Sequence, residues 1–201
     1  MKLSLSTVAE NPSIVTYSID LHDAESVTLR PLEPGDVDDL ADFLSGLSDE
    51  TKRLSTFEGY DKSAAQKLCD SINKYDKLRF VVVPTNSNSI VGLIEFSFGL
   101  PNSDIERFHK LGYELNLDTD CRFGPTLADS YQNKKLGSKL MPLVIEIAKR
   151  FNKKRIILWG GVLKDNERAI KFYEKFGFKA VGEFSTDGLS KLDMILDLNK
   201  M

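Results

Sequence analysis

The stretch Tyr131-Gln132-Asn133-Lys134-Lys135-Leu136-Gly137-Ser138-Lys139-Leu140 decides how this chain folds. It follows Asp120 to Ala128, which reads as a central strand, and it opens the strongest helical pattern in the sequence. That pattern runs from Leu136 to Phe151, with Leu136, Leu140, Leu143, Val144, Ile147 and Phe151 on one stripe. Pro142 lies inside it and should remove a hydrogen bond or bend the first turns. Arg155 to Val162 reads as the next strand. A strand, helix and strand in this order favour a right-handed crossover and parallel pairing.

Working outward toward the C-terminus, Asn166 to Phe176 reads as a short helix closed by Gly177. Phe178 to Phe184 and Leu192 to Leu198 read as a hairpin turning at Asp187-Gly188. Toward the N-terminus, Leu78 to Val83 and Ile90 to Phe98 form another hairpin around a Pro84 to Ser89 turn. Before it, Asp36 can cap a helix with Val37, Leu40, Phe43, Leu44 and Leu47 at apolar positions. A second helix runs from Ser63 to Asn73, with Ala64, Leu68 and Ile72 on one face. Ser26 to Arg30 is a strand, and residues 1–25 are a polar extension with a weak strand signal from Ser13 to Ile19, readable as an extra edge strand or as a loose tail. Gly99 to Thr119 is polar and poorly periodic, so it reads as a long loop or insertion. The expected architecture is α/β (α+β): one domain over residues 26–201 with a mixed, twisted sheet and helices on both faces.

The totals narrow the function. The 201 residues carry 27 Lys plus Arg against 30 Asp plus Glu, a formal net charge of -3. This balance argues against broad nucleic-acid or membrane binding. The basic run Lys149-Arg150 with Lys153-Lys154-Arg155 reads as charge meeting a helix dipole before it reads as a patch. Two cysteines, Cys69 and Cys121, make no disulfide framework, and they and the two histidines lack metal-ligand spacing. With no apolar run suited to a signal or a span, the expectation is a soluble, reduced, cytoplasmic protein.

The chemistry sits in two segments. A loop opening a helix leaves backbone amides free, and free amides at a helix start attract a phosphate anion. A tyrosine on the apolar face of a following helix can give a proton to a leaving group. Read bare, the loop is equally an ordinary strand-to-helix connection.

Both segments resemble the GNAT superfamily of acyl-CoA N-acyltransferases. The signature Q/R-x-x-G-x-G/A stands as Gln132-Asn133-Lys134-Lys135-Leu136-Gly137, with Gly137 kept and Lys135 in place of the first glycine. A second pattern, N-x-x-A-x-x-F/L-Y-x-x-x-G-F, matches at Asn166, Ala169, Phe172, Tyr173, Gly177 and Phe178. The resemblance covers Val27 to about Leu198. It implies acetyl-CoA as acyl donor, direct attack by a primary amine in a ternary complex, and a pantetheine arm held by the backbone of Thr126, Leu127 and Ala128. It further implies that Gln132, Asn133, Lys134, Lys135, Leu136, Gly137 and Ser138 cradle the pyrophosphate. Asn166, Ala169, Phe172 and Tyr173 would border the cofactor, with Tyr173 beside its sulfur as the acid. Asn166 reads equally well as a helix cap, and Phe172 with Phe176 as core.

Lysine at a loop position needing positive φ would be strained, and its charge would approach a phosphate or face water. The Gly160-Gly161 pair reads as a place of close approach or as a bulge. Glu95, Glu114, Asp118, Asp120 and His109 are the candidate bases; His22 falls outside the core match, and Cys121 reads as buried. The acceptor is a small-molecule or peptide amine, with Ser48 to Tyr60 and Gly99 to Thr119 expected to shape its pocket. A homodimer through the last strands or the N-terminal extension is compatible with the sequence. The alternative is a non-catalytic acyl-CoA-binding sensor or partner module of the same fold.

Overall fold

A computed structural model describes residues 2–21, 25–72 and 76–200. His22 and the end of the expected helix at Asn73 lie outside the described residues.

Among the described residues nine strands form one sheet. In spatial order they are β1 (Tyr17–Asp20), β2 (Ser26–Pro31), β3 (Lys77–Pro84), β4 (Gly92–Ser97), β5 (Asp120–Leu127), and then β6 (Arg155–Leu158) with β7 (Val162–Leu163). β9 (Leu189–Asp197) follows, with β8 (Lys179–Thr186) on its far side. Of these strands only β5 and β6 pair in parallel, joined by α6 (Leu136–Arg150) as the crossover; their other pairings are antiparallel.

Alternation of side chains along the strands gives each face its own apolar layer. One layer holds Phe80, Val82, Ile94, Phe96, Phe123, Ile156, Leu158, Met194 and Leu196. Three helices cover it: α6, α7 (Glu167–Lys175) and the short N-terminal α1 (Leu5–Glu10). The stripe expected on α6 is the buried one, with Leu143 partly covered. The helix continues through Pro142, whose ring is on the solvent side. On the other face, α2 (Val37–Ser45) and α4 (Lys62–Asp70) cover Val81 and Leu93. Also there, α5 (Asn102–Lys110) covers Ile157 and Ile195. Among the described residues no helix is long and apolar enough to cross a membrane.

Three differences from the sequence reading have physical causes. The segment 99–119 is not loop throughout: α5 forms over Asn102–Lys110 because Ile105 and Phe108 bury one narrow edge, and its remaining surface is polar or charged. Arg107 holds Asp104 at 2.8 Å and Asp193 at 2.6 Å beneath it. The single strand expected over 155–162 is broken, because Gly160 and Gly161 take φ of 71° and 69°. Asp36 does not cap α2 with its side chain; Arg30 takes both of its oxygens, at 2.8 and 2.7 Å. Of the two readings of the N-terminal extension, the structure has the edge strand: β1 pairs along β2, and Leu3, Val8, Val15 and Ile19 enter the core.

Candidate active site

The sheet opens at its centre. β4 follows β5 from Arg122 to Leu127, but β6 follows it only as far as Phe123, where the Trp159 amide donates to the Phe123 carbonyl at 2.8 Å. The chain then turns away through Gly160 and Gly161, and β7 pairs with β9 instead. A Cβ at Gly161 would sit 2.8 Å from the Leu192 carbonyl oxygen and from the Phe184 ring, so only glycine fits the break.

Gly124 to Leu127 therefore have a free edge. The Ala128 amide donates to the Val91 carbonyl at 2.9 Å. Bonded pairs alternate along an antiparallel ladder, so Thr126 and Ala128 turn their amides to β4. Pro125 and Leu127 face the opening, and Pro125 has no N–H. Of the three backbone positions expected to hold a ligand as an added strand, Leu127 alone offers an amide there. Its carbonyl accepts from Gln132 Nε2 at 3.1 Å.

A cavity of about 420 Å³ occupies this opening. Its walls bring together Thr126, Leu127, Gln132, Asn133, Lys135, Leu136, Gly137, Ser138, Asn166, Ala169, Phe172 and Tyr173. Ala128 and Lys134 stand outside it; the Lys134 ammonium lies over the Tyr131 ring at 4.9 Å. Asn133 and Lys135 have φ of 62° and 61°, and Lys135 is the residue that starts α6. The strain foreseen for lysine at a glycine position is present in the backbone, and its side chain is exposed. Past it, the amides of Leu136, Gly137 and Ser138 begin a 15-residue helix and have no acceptor in its first turn. The nearest neighbours of a Cβ at Gly137 would be the Phe172 ring at 3.4 Å and Leu127 at 3.9 Å, which places this turn against α7 and the end of β5.

On α7, Asn166 is a cap, accepting from the Ala169 amide at 3.1 Å, and it also borders the cavity. The Tyr173 ring is packed between Phe172 and Phe178, at 5.4 and 5.3 Å. Burial pushes its phenol well above the ordinary tyrosine range. Its hydroxyl has no hydrogen-bond partner among the described residues, although the residue lines the cavity.

Of the candidate bases, Glu95 alone reaches this cavity, with Oε1 on Arg79 Nε at 2.7 Å. Asp120 is fully buried and tied to Arg155, while His109 and Glu114 bond each other on the exposed side of α5, at 2.5 Å. Asp118 is exposed. Cys121 is buried with its thiol pushed up to about 12 by desolvation, which removes it as a nucleophile. The segment 48–60 contributes Thr51, Leu54, Ser55 and Thr56 to the wall; residues 99–119 contribute none, because α5 is spent on the far half of the sheet. Trp159, at the strand break, also lines the cavity and carries the Arg122 guanidinium on its ring at 4.3 Å. Neither it nor the short helix at 49–54 was found from sequence; the Ser48 cap before Asp49-Glu50 was the available signal.

A sequence model of the Acetyltransferase (GNAT) family matches residues 44–178, more than half of the chain. The fold is similar to the GNAT domain of the S. lividans protein PAT at 17% identity and TM-score 0.72, over 92% of this chain and 98% of that one. It is similar to ribosomal-protein-S5-alanine acetyltransferase from Vibrio fischeri at 16% identity and TM-score 0.68, over 91% and 97%. It is also similar to spermidine N-acetyltransferase from Vibrio cholerae, solved with CoA and spermine, at 22% identity and TM-score 0.65, over 87% and 96%. This chain belongs to the GNAT acetyltransferase family. It is an acyltransferase, and its acyl donor is acetyl-CoA. The unpaired amides at the start of α6 suit an anionic group.

Proposed function

We propose that the protein moves the acetyl group of acetyl-CoA directly to a primary amine, with both substrates bound together. The observation carrying this reading is that one cavity in the open sheet has Leu136, Gly137 and Ser138 at the start of α6, Tyr173 and Glu95 all in its wall. Bound acetyl-CoA supplies the thioester whose acyl carbon is attacked.

The amides of Leu136, Gly137 and Ser138, with the helix dipole behind them, hold the phosphates. Asn133 and Lys135 shape that loop; Gln132 braces it, and Asn166, Ala169 and Phe172 wall the channel. The Leu127 amide, on the free edge of β5, holds the arm and polarises the acyl oxygen. An alkyl amine is mostly protonated at neutral pH and must lose a proton to attack. Glu95 draws that proton, directly or through water. Tyr173 gives its proton to the departing sulfur. Burial keeps the phenol neutral through the working pH range, and its unpartnered hydroxyl is free to donate.

The acceptor is a small-molecule or peptide amine. The test is a panel of primary amines, mono- and polyamines, amino acids and peptides, assayed with acetyl-CoA for free CoA and for N-acetylated product. Product and CoA in equal amounts with at least one amine support the reading. Saturable CoA binding with no product across the panel overturns it in favour of a sensor module.

A further inference from the structure

The loop that begins with Gln132 is braced from outside its own strand and helix. The brace is α3 (Asp49–Leu54), on the acceptor side of the cavity. The Thr51 hydroxyl, buried at 7% exposure, works in both directions: it donates to Asp129 Oδ1 at 2.7 Å and accepts from Gln132 Nε2 at 3.0 Å. Asp129 also accepts from the Ser48 amide at 2.9 Å and from Ser48 Oγ at 2.6 Å. On its other side, Gln132 Oε1 accepts from Arg168 Nη2 at 2.7 Å, and Arg53 reaches from α3 to Asp165 at 3.0 Å.

This helix has six residues, and none of them belongs to the apolar clusters that hold the other layers. Hydrogen bonds, more than packing, hold it. The loop it meets needs holding. Asn133 and Lys135 sit at positive φ, a conformation that L-residues keep only when their surroundings impose it.

We propose that Thr51 is a positioning residue: through its hydroxyl, α3 fixes Gln132 and thereby the loop whose amides receive the donor phosphates. The inference rests on the assignment of that loop as the donor site. Leu54, Ser55 and Thr56 of the same segment wall the acceptor side, so an acceptor that shifts α3 changes donor affinity, and the donor changes acceptor affinity equally.

Thr51→Val keeps the branched shape and removes the hydroxyl; Thr51→Ser keeps the hydroxyl and removes a methyl. Two measurements separate the outcomes. One is calorimetric titration with CoA. The other is hydrogen exchange, in the free protein, at the amides of Tyr131, Gln132 and Lys139, which bond the Ala128, Asp129 and Lys135 carbonyls. The expected result is about a tenfold rise in the CoA dissociation constant for Thr51→Val, the worth of one buried hydrogen bond, with faster exchange at those amides. Thr51→Ser should stay within about twofold of the unchanged protein, well inside the value of that bond. Equal behaviour of the two variants, whether both weak or both unchanged, overturns the proposal. Faster exchange in Thr51→Val with no CoA binding by the unchanged protein overturns the donor-site reading and leaves the brace standing.

Discussion

Two residues at the cavity have opposite kinds of freedom. The Tyr173 hydroxyl has no partner among the described residues, and its ring is fixed by Phe172 and Phe178. Tyr173→Phe keeps the ring packing and removes the donated proton. Turnover should fall by about a hundredfold or more, as for loss of a general acid, with CoA affinity nearly unchanged. The sign of the pH effect follows from burial. The phenol is raised, so it stays protonated past the pH where a free tyrosine ionises, and no activity limb from Tyr173 should appear below about pH 10. Unchanged turnover of Tyr173→Phe at the pH optimum removes the acid role. Lys135 is the reverse case, an exposed side chain on a constrained backbone. The left-handed region costs an L-residue about 1–2 kcal/mol, and glycine returns part of that gain as unfolded-state entropy. Lys135→Gly should therefore raise stability by up to about 1 kcal/mol in denaturant unfolding. A loss of stability would mean that the lysine side chain holds the loop.

At the scale of elements, the decisive feature is the break between β6 and β7. Positive φ at Gly160 and Gly161 takes the chain off β5 and leaves the free edge at which the cavity lies. Gly161→Ala adds a Cβ 2.8 Å from the Leu192 carbonyl oxygen, in a conformation alanine resists. It should cost about 1–3 kcal/mol of stability, the usual range for local strain, read as a lower thermal midpoint. A neutral substitution would show that the break tolerates an ordinary residue. The helix α5 had little chance of being read from sequence. Its apolar edge consists of Ile105 and Phe108, and the Arg107 contacts that anchor it reach Asp193, far along the chain.

The whole molecule is organised by one sheet whose first strand comes from the N-terminal segment. β1 covers the edge of β2, and Leu3, Val8, Val15 and Ile19 join the large apolar layer with α6. Arg150, at the end of α6, donates to the Ile14 carbonyl at 2.8 Å. A chain lacking residues 2–20 should lose about 5–10 °C in thermal midpoint, on the scale of a few kcal/mol for a protein of this size, and should self-associate through the bared edge of β2. An unchanged midpoint with a monomeric truncated chain would make this segment dispensable.

The sequence by itself determined what is local or periodic. The stripe from Leu136 to Phe151 fixed α6, the flanking strands fixed the parallel crossover, and Gln132 to Gly137 with Asn166 to Phe178 marked the loop and helix that meet at the cavity. Tertiary structure decided what depends on distant partners. Of the candidate carboxylates it brought Glu95 alone, on β4, to the cavity wall, and it turned the Thr126 and Ala128 amides toward β4. It also broke 155–162 into two strands and set the Thr51 hydroxyl between Asp129 and Gln132. A periodic pattern reports which face of an element is buried; the direction of a single polar group depends on strand register and on side chains far away in sequence, which no local window contains.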